Sequence, residues 1–305
     1  MSTISRYLTK AQMACFRHDG FIVMPGLLSP NETSKLRARF MEIHEQALDK
    51  NSEAYQHYQP KTLEESGGDI LAHYPRIMMP HRFDELSKRY LLEDRIGRVL
   101  TDLFGEEPLA AQSMLYFKPP GARGQAFHQD DYYLQTAPGH CMAAWVALDD
   151  CDAENGTLFV VPGSHLQPIL CPHAADLTQS FTTEEVAIPE GAQPVEVRLS
   201  AGDVLFFNGA VIHGSTPNST QNRFRRSFIC HYVPDSMKEM SASYYPLHRF
   251  NGETLERAHA TGGGICGNEE WEAFRQGVEE QMKRVGGGGD YADIIARRFE
   301  KTAHH

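Results

Sequence analysis

Residues 126–135 read AFHQDDYYLQ, with His128, Gln129, Asp130, Asp131, Tyr132 and Tyr133 in unbroken succession. A strand that only fills a core has little use for such a run. Read as a strand, side chains alternate between faces with period two. His128 and Asp130 then share one face, and Gln129 and Asp131 share the other. One imidazole and one carboxylate are thereby offered to a single ion, and Asp131 is excluded unless a bulge intervenes. An isolated His-x-Asp recurs by chance, so the pair needs a distant partner.

Outward from that stretch, the middle of the chain is a series of short apolar or alternating runs. SMLYF, AAWVAL, TLFVV, VEVRL, DVLFF and RSFICHYV lie between residues 109 and 234, separated by Gly, Pro, Asn and Asp. This texture predicts a mainly β fold with flanking helices, a double-stranded β-helix of jelly-roll or cupin-like barrel type. The expected layout is one domain over 1–305: a helical N-terminal region (residues 1–108), a β core (residues 109–234) and a helical C-terminal extension (residues 235–305). In the N-terminal region, Thr9 to Gln12 and Ser29 to Glu32 have the form of capping boxes. Phe21 to Met24 predicts a strand, and Tyr90 to Phe104 one helix ending at Gly105. Residues 51–85 predict irregular structure that could form a lid, and Asn268 to Val285 predicts a helix.

The distant partner is supplied by GDVLFFNGAVIHGS, where His213 follows a clear strand. Two histidines and one carboxylate on one face of an octahedron leave three positions open, the pattern of non-haem Fe(II) oxygenases. A closed zinc site would require a fourth protein ligand. Open positions are what dioxygen and an organic cosubstrate need. RFRR, residues 223–226, lies on the following strand, where an inward guanidinium can grip a distal carboxylate of 2-oxoglutarate bidentately. Alternation places Arg223 and Arg225 on one face, and Phe224 and Arg226 on the other.

The order SMLYFKPP, FHQD, AAWVALDD, NGTLFVVPGSH, AGDVLFFNGAVIHGS, FRRSFICHY resembles the phytanoyl-CoA dioxygenase family, which includes ectoine hydroxylase. The opening LTKAQMACFRHDGFIVMPGLLS is similar too, so the likeness spans about residues 7–234. The resemblance implies Fe(II) held by His128, Asp130 and His213 as the catalytic centre. It also implies 2-oxoglutarate held by Arg225 with Ser215 beside it, and Arg223 as a lesser candidate. Trp145, Met114 and Gln129 fall at positions near the cosubstrate, although alternation turns Gln129 away from the iron. Related halogenases lack the carboxylate, so Asp130 disfavours halogenation. Dioxygen is the implied second cosubstrate, and ascorbate is expected to support turnover.

Tyr132, Tyr133 and Gln135 follow the His-x-Asp pair and are substrate candidates. Tyr74 joins them from the irregular segment that could form a lid, where Arg76 and His81 also lie. His165 is expected to have a structural role, and His140, His173 and His231 have no partner at a useful spacing. The implied activity is hydroxylation of a C–H bond in a small organic molecule, in secondary metabolism. The same cofactors also serve desaturation, epoxidation and ring closure, and a ligand-binding or 2-oxoglutarate-sensing barrel without turnover is the non-enzymatic alternative. A net charge of −11 and a pI near 5.7 argue against nucleic-acid or anionic-membrane partners. The six cysteines form no CxxC pair and predict buried thiols in a reducing, cytoplasmic setting. No apolar run approaches the ~20 residues of a membrane span.

Overall fold

Alternation in the strand Arg225–Pro234 organises the molecule. Phe228, Cys230 and Tyr232 belong to one buried apolar cluster, and Ile229 to another. The same split runs through the neighbouring strands Met142–Ala147 and Val204–Asn208. Ala144, Val146 and Phe206 face one way; Ala143, Trp145, Leu205 and Phe207 face the other. A strand apolar on both faces must be covered on both. The chain, seen in a computed structural model that describes residues 7–260, covers the outer face with helices and the inner face with a second sheet.

The larger sheet is eight-stranded. Its order is Phe21–Met24, Val204–Asn208, Met142–Ala147, Arg225–Pro234, Pro108–Lys118, Leu247–His248, Thr254–Leu255, with Ile77–Met78 also paired to Pro108–Lys118. All of its pairings are antiparallel. The smaller sheet has the order Gln125–His128, His213–Ser215, Leu158–Val160, Val195–Glu196. The two sheets face each other around Met114, Trp145, Leu158, Val160, Leu205, Phe207 and Ile229. The jelly-roll architecture is as expected, but the two sheets remain separate rather than closing into one barrel.

Helices Pro30–Ala47 and Asp94–Phe104 cover the outer face through Leu36, Phe40, Ile43, Ile96, Val99 and Leu100. Phe40 meets Phe228 at a ring-centroid distance of 5.5 Å. Both capping boxes form as expected: Thr9 and Ser29 accept from the N–H groups of Gln12 and Glu32, whose side chains reach back.

Several local expectations are corrected. The helix expected over Tyr90 to Phe104 is two, Glu85–Leu91 and Asp94–Phe104, because the Glu93 side chain caps a new start. Residues 51–85 contain the short helices Glu53–His57 and Ile70–His73 and the strand Ile77–Met78. Residues 235–260 hold no α-helix: Leu247–His248 and Thr254–Leu255 extend the larger sheet, and Glu239–Met240 pairs with Ala258–His259. Two-residue strands carry no readable alternation. The helix expected over Asn268 to Val285 lies outside the described residues. Cys141, Cys151 and Cys230 are buried free thiols, but Cys15 is exposed and Cys171 is disulfide-bonded. Among the described residues, no helix is long and apolar enough to cross a membrane.

Burial leaves two histidines of the outer layer hard to protonate. Burial, with the neighbouring His73, pushes His44 down to about 4; burial, with His248, Arg82 and Lys88 nearby, pushes His81 down to about 3. The unfolded chain takes up protons at both sites as pH falls through the ordinary imidazole range, and the folded chain does not. Stability is therefore fully present above about pH 6.5 and declines on acidification toward pH 4. The melting temperature is expected to fall between pH 7 and pH 5, with a shallower slope in His44→Phe. A flat profile in the unsubstituted chain would contradict this.

Candidate metal centre

Strand pairing brings the two histidines together. His128 and His213 are direct register partners between the neighbouring strands Gln125–His128 and His213–Ser215, and their ring centroids are 4.2 Å apart. The strand does not continue through the aspartates, as simple alternation would have it. Gln129 is extended, and a short helix, Asp130–Leu134, begins at once. One extended residue is enough to return Asp130 to the His128 face. Asp130 Oδ1 lies 3.5 Å from His128 Nε2, and Oδ2 lies 3.7 Å from His213 Nε2. One ligand atom from each of His128, Asp130 and His213 falls within 4.8 Å of the others, and all three residues are buried.

The hydrogen bonding at the rear of each imidazole fits a metal. His128 Nδ1 is 2.9 Å from the Ala126 carbonyl, and His213 Nδ1 is 2.9 Å from the Val211 carbonyl. Each Nδ1–H therefore donates backward, leaving Nε2 as a bare lone pair aimed at Asp130. Burial, with His128 beside it, holds His213 down to about 4, so it stays neutral at ordinary pH. Burial alone would raise the Asp130 carboxyl; His231, His213 and His128 outweigh it and hold the group well below the usual carboxylate range. The set is two imidazoles and a carboxylate, with no further His, Cys, Asp or Glu ligand in the cluster among the described residues. It suits a divalent first-row ion with open positions. Gln125 Nε2 lies 3.0 Å from His128 Nε2, so its amide competes with a metal for that lone pair.

Asp131 does other work. Its Oδ1 accepts from the Cys141 N–H and its Oδ2 pairs with His140 at 2.6 Å, which fastens the short helix to the next strand. His140 thus has the partner that its spacing did not reveal. His173 likewise pairs with Glu185 at 3.1 Å. His231 has one too: its Nε2 is 2.9 Å from Asp130 Oδ2. His165 has a structural contact, to the Arg17 carbonyl.

At the other end of the inner face lie two buried cations. Arg225 is 2% exposed, donates from Nε to the Gly156 carbonyl and from Nη1 to Ser227 Oγ, and lies 5.3 Å from the centre of the Trp145 ring. Lys118, its register partner across the sheet, is also 2% exposed. The Lys118 ammonium donates to Ser215 Oγ, the Thr216 carbonyl and the Gly156 carbonyl at 2.7, 2.7 and 3.2 Å. Burial and the adjacent Arg225 charge push Lys118 well below its ordinary range. The hydrogen bonds of Arg225 and Lys118 go to carbonyls and hydroxyls, and no ion pair to a carboxylate is formed by either among the described residues, an arrangement that favours an incoming anion. Ser215 Oγ accepts from Lys118 and from the Gln125 N–H, which leaves its own O–H to donate. Both cations share the Gly156 carbonyl. A Cβ at Gly156 would stand 2.6 Å from Lys118 Cδ and 2.6 Å from the Thr216 carbonyl, at a φ of +81°.

The other candidates sort by face. Met114 and Trp145 line the inner face. Arg223 does not reach it, being paired with Asp152 at 2.8 Å near the surface. Gln129 faces away: its amide bonds the Ala210 carbonyl and the Leu170 N–H, so it braces backbone instead of meeting a cosubstrate. Tyr74 is on the wrong side of the sheet, stacked on His44 at 4.3 Å and against Phe117. His81 is there too, bonded to Ser113. Arg76 does approach the inner face, donating to the Tyr116 hydroxyl at 3.0 Å. Tyr132 and Tyr133 join His128, Glu184 and Val186 around a cleft beside the metal cluster, with Tyr133 donating to Glu184 at 3.1 Å. Gln135 is half-buried at the end of the short helix, in the left-handed region at φ 53°. Lys118, Gln125 and His231 were not foreseen.

Comparison with known proteins agrees with this geometry. The family profile described as Phytanoyl-CoA dioxygenase (PhyH) matches residues 16–227. The chain is 26% identical over 275 residues to phytanoyl-CoA dioxygenase domain-containing protein 1 of Danio rerio, covering 74% of this chain and 90% of that one. It is 25% identical over 260 residues to the ectoine dioxygenase of Stutzerimonas stutzeri, covering 78% and 82%. In fold it is similar to EctD from S. alaskensis, with a TM-score of 0.61, 22% identity and coverage of 78% and 81%. It is also similar to the epimerase SnoN, crystallised with Fe3+, alpha ketoglutarate and nogalamycin RO, with a TM-score of 0.57, 21% identity and coverage of 75% and 84%. The chain belongs to the phytanoyl-CoA dioxygenase family of iron- and 2-oxoglutarate-dependent oxidoreductases.

Proposed function

We propose that this chain oxidises a C–H bond of a small organic molecule, with hydroxylation as the outcome, using Fe(II) held by His128, Asp130 and His213. The observation that carries the reading is the paired backward hydrogen bonding of His128 and His213, which turns both Nε2 lone pairs toward Asp130. Bound iron supplies the coupling of 2-oxoglutarate decarboxylation by dioxygen to substrate oxidation. The chain's own residues bind, orient and exclude water.

Arg225 and Lys118 form the receptor for the distal carboxylate. Arg225 offers the fork, stacked over Trp145, and Lys118 adds charge and holds Ser215 in place. Met114 and Trp145 keep the intervening space apolar. The cleft of Tyr132 and Tyr133 beside His128 is where substrate would enter. Its walls are aromatic and acidic, and the chain carries a net charge of −11, which favours a neutral or cationic small molecule over a polyanionic acyl-CoA.

With Fe(II), ascorbate and 2-oxoglutarate, the purified chain is expected to release succinate slowly without substrate, and faster with members of a metabolite panel that fit. His128→Ala, Asp130→Ala and His213→Ala should each abolish this release. Folded, iron-loaded protein that releases none would instead favour a binding role. Arg225→Gln should raise the 2-oxoglutarate KM by about 100-fold and Lys118→Met by about tenfold, with kcat much less affected. A KM unchanged in Arg225→Gln would remove the cosubstrate assignment. Asp131→Ala should cost about 1–3 kcal/mol of stability, measured by denaturant unfolding, and leave Fe(II) binding largely intact. Loss of Fe(II) by a folded Asp131→Ala would overturn the choice of aspartate.

A further inference from the structure

Asp130 makes one contact that the three-ligand set does not explain. His231 lies on the strand Arg225–Pro234, on the inner face with Arg225, Ser227 and Ile229, and is 2% exposed. Its Nε2 is 2.9 Å from Asp130 Oδ2, the shortest approach of any imidazole to that carboxylate. Its Nδ1 is buried and has no hydrogen-bond partner. A carboxylate oxygen can only accept, so the hydrogen bond runs from His231 Nε2–H to Asp130 Oδ2.

The strand opposite His231 is irregular at this point. The register with Pro108–Lys118 shifts between His231 and Tyr232, whose partners are Gln112 and Ala110, so the extra residue Ala111 makes a bulge in that strand, a feature that recurs beside active sites. On its other side His231 pairs in register with Ala143 of the strand Met142–Ala147, which holds its own backbone regular.

We propose that His231 is a positioning residue for the metal-binding carboxylate. This rests on reading His128, Asp130 and His213 as the iron ligands. By occupying a lone pair of Oδ2, His231 fixes the rotamer of Asp130 and disfavours chelation of the metal by both oxygens. Single-oxygen ligation keeps positions open for a bidentate 2-oxo acid and dioxygen. Tyr232, next along the strand, faces the outer core and hydrogen-bonds the Leu91 carbonyl, so the strand is anchored independently of His231.

The test is anaerobic Fe(II) titration of the full chain, with the visible charge-transfer absorption of the Fe(II)–2-oxoglutarate complex as a second readout and the metal-free melting temperature as a fold control. His231→Leu should weaken Fe(II) binding by about 10–100-fold and displace the absorption band. His231→Gln, which can still present an N–H to Oδ2, should stay within about threefold of the unsubstituted chain and keep the band. If His231→Leu does not fold, His231→Phe takes its place. A folded Leu or Phe variant that binds Fe(II) as tightly as the unsubstituted chain would overturn the proposal, as would a Gln variant that falls as far as Leu. His128→Ala, titrated in parallel, separates the positioning role from the metal site itself. If it loses Fe(II) while His231→Leu keeps it, only the positioning role fails; if it too keeps Fe(II), the metal reading fails.

Discussion

The register pairing of His128 with His213 is the constraint on which the site depends. Cross-strand partners point to the same side of a sheet, so one pairing places two imidazoles 4.2 Å apart without any loop having to find its position. The carbonyls of Ala126 and Val211, each two residues upstream, then set both tautomers. A slip of one residue would turn either histidine outward and lose both effects. Burial holds His213 down to about 4, while His231, His213 and His128 around Asp130 keep its carboxyl well below the usual carboxylate range.

The larger sheet completes the centre from the opposite side. A single strand carries His231 near one end and Arg225 at the other, so one rigid element touches both the Asp130 carboxylate and the buried pair of Arg225 and Lys118. The spacing between His231 and Arg225 is thus set by strand geometry, a more exact ruler than a loop. Gly156 closes the receptor, with one carbonyl accepting from both Lys118 and Arg225. A guanidinium and an amine held this close, with no carboxylate in ion-pair distance among the described residues, favour an anionic visitor.

Much of this was legible in the sequence where a period was present. The placing of Trp145 came from the family resemblance, while alternation set Phe224 and Arg226 against Arg225 and put Asp130, not Asp131, on the His128 face. It would also have found Lys118, on the face of Met114 and Tyr116, and His231, three alternations beyond Arg225, had it been followed along each strand. It failed where no period exists. Tyr74 and His81 sit in an irregular segment whose course around the sheet edge cannot be read locally, and both fall on the outer face. Asp130 reached the right place by a route that alternation did not foresee, through a helix start after one extended residue. Asp131 and His140 are nine residues apart and meet only because that helix turns back toward the next strand.

The most direct test of the central claim is anaerobic stoichiometry. Fe(II) added to the metal-free chain should bind once per chain, and a visible charge-transfer band should then appear only when 2-oxoglutarate is also present, with neither event occurring in His213→Ala. Iron binding that survives His213→Ala, or a chain that binds iron yet gives no such band with 2-oxoglutarate, would contradict the account.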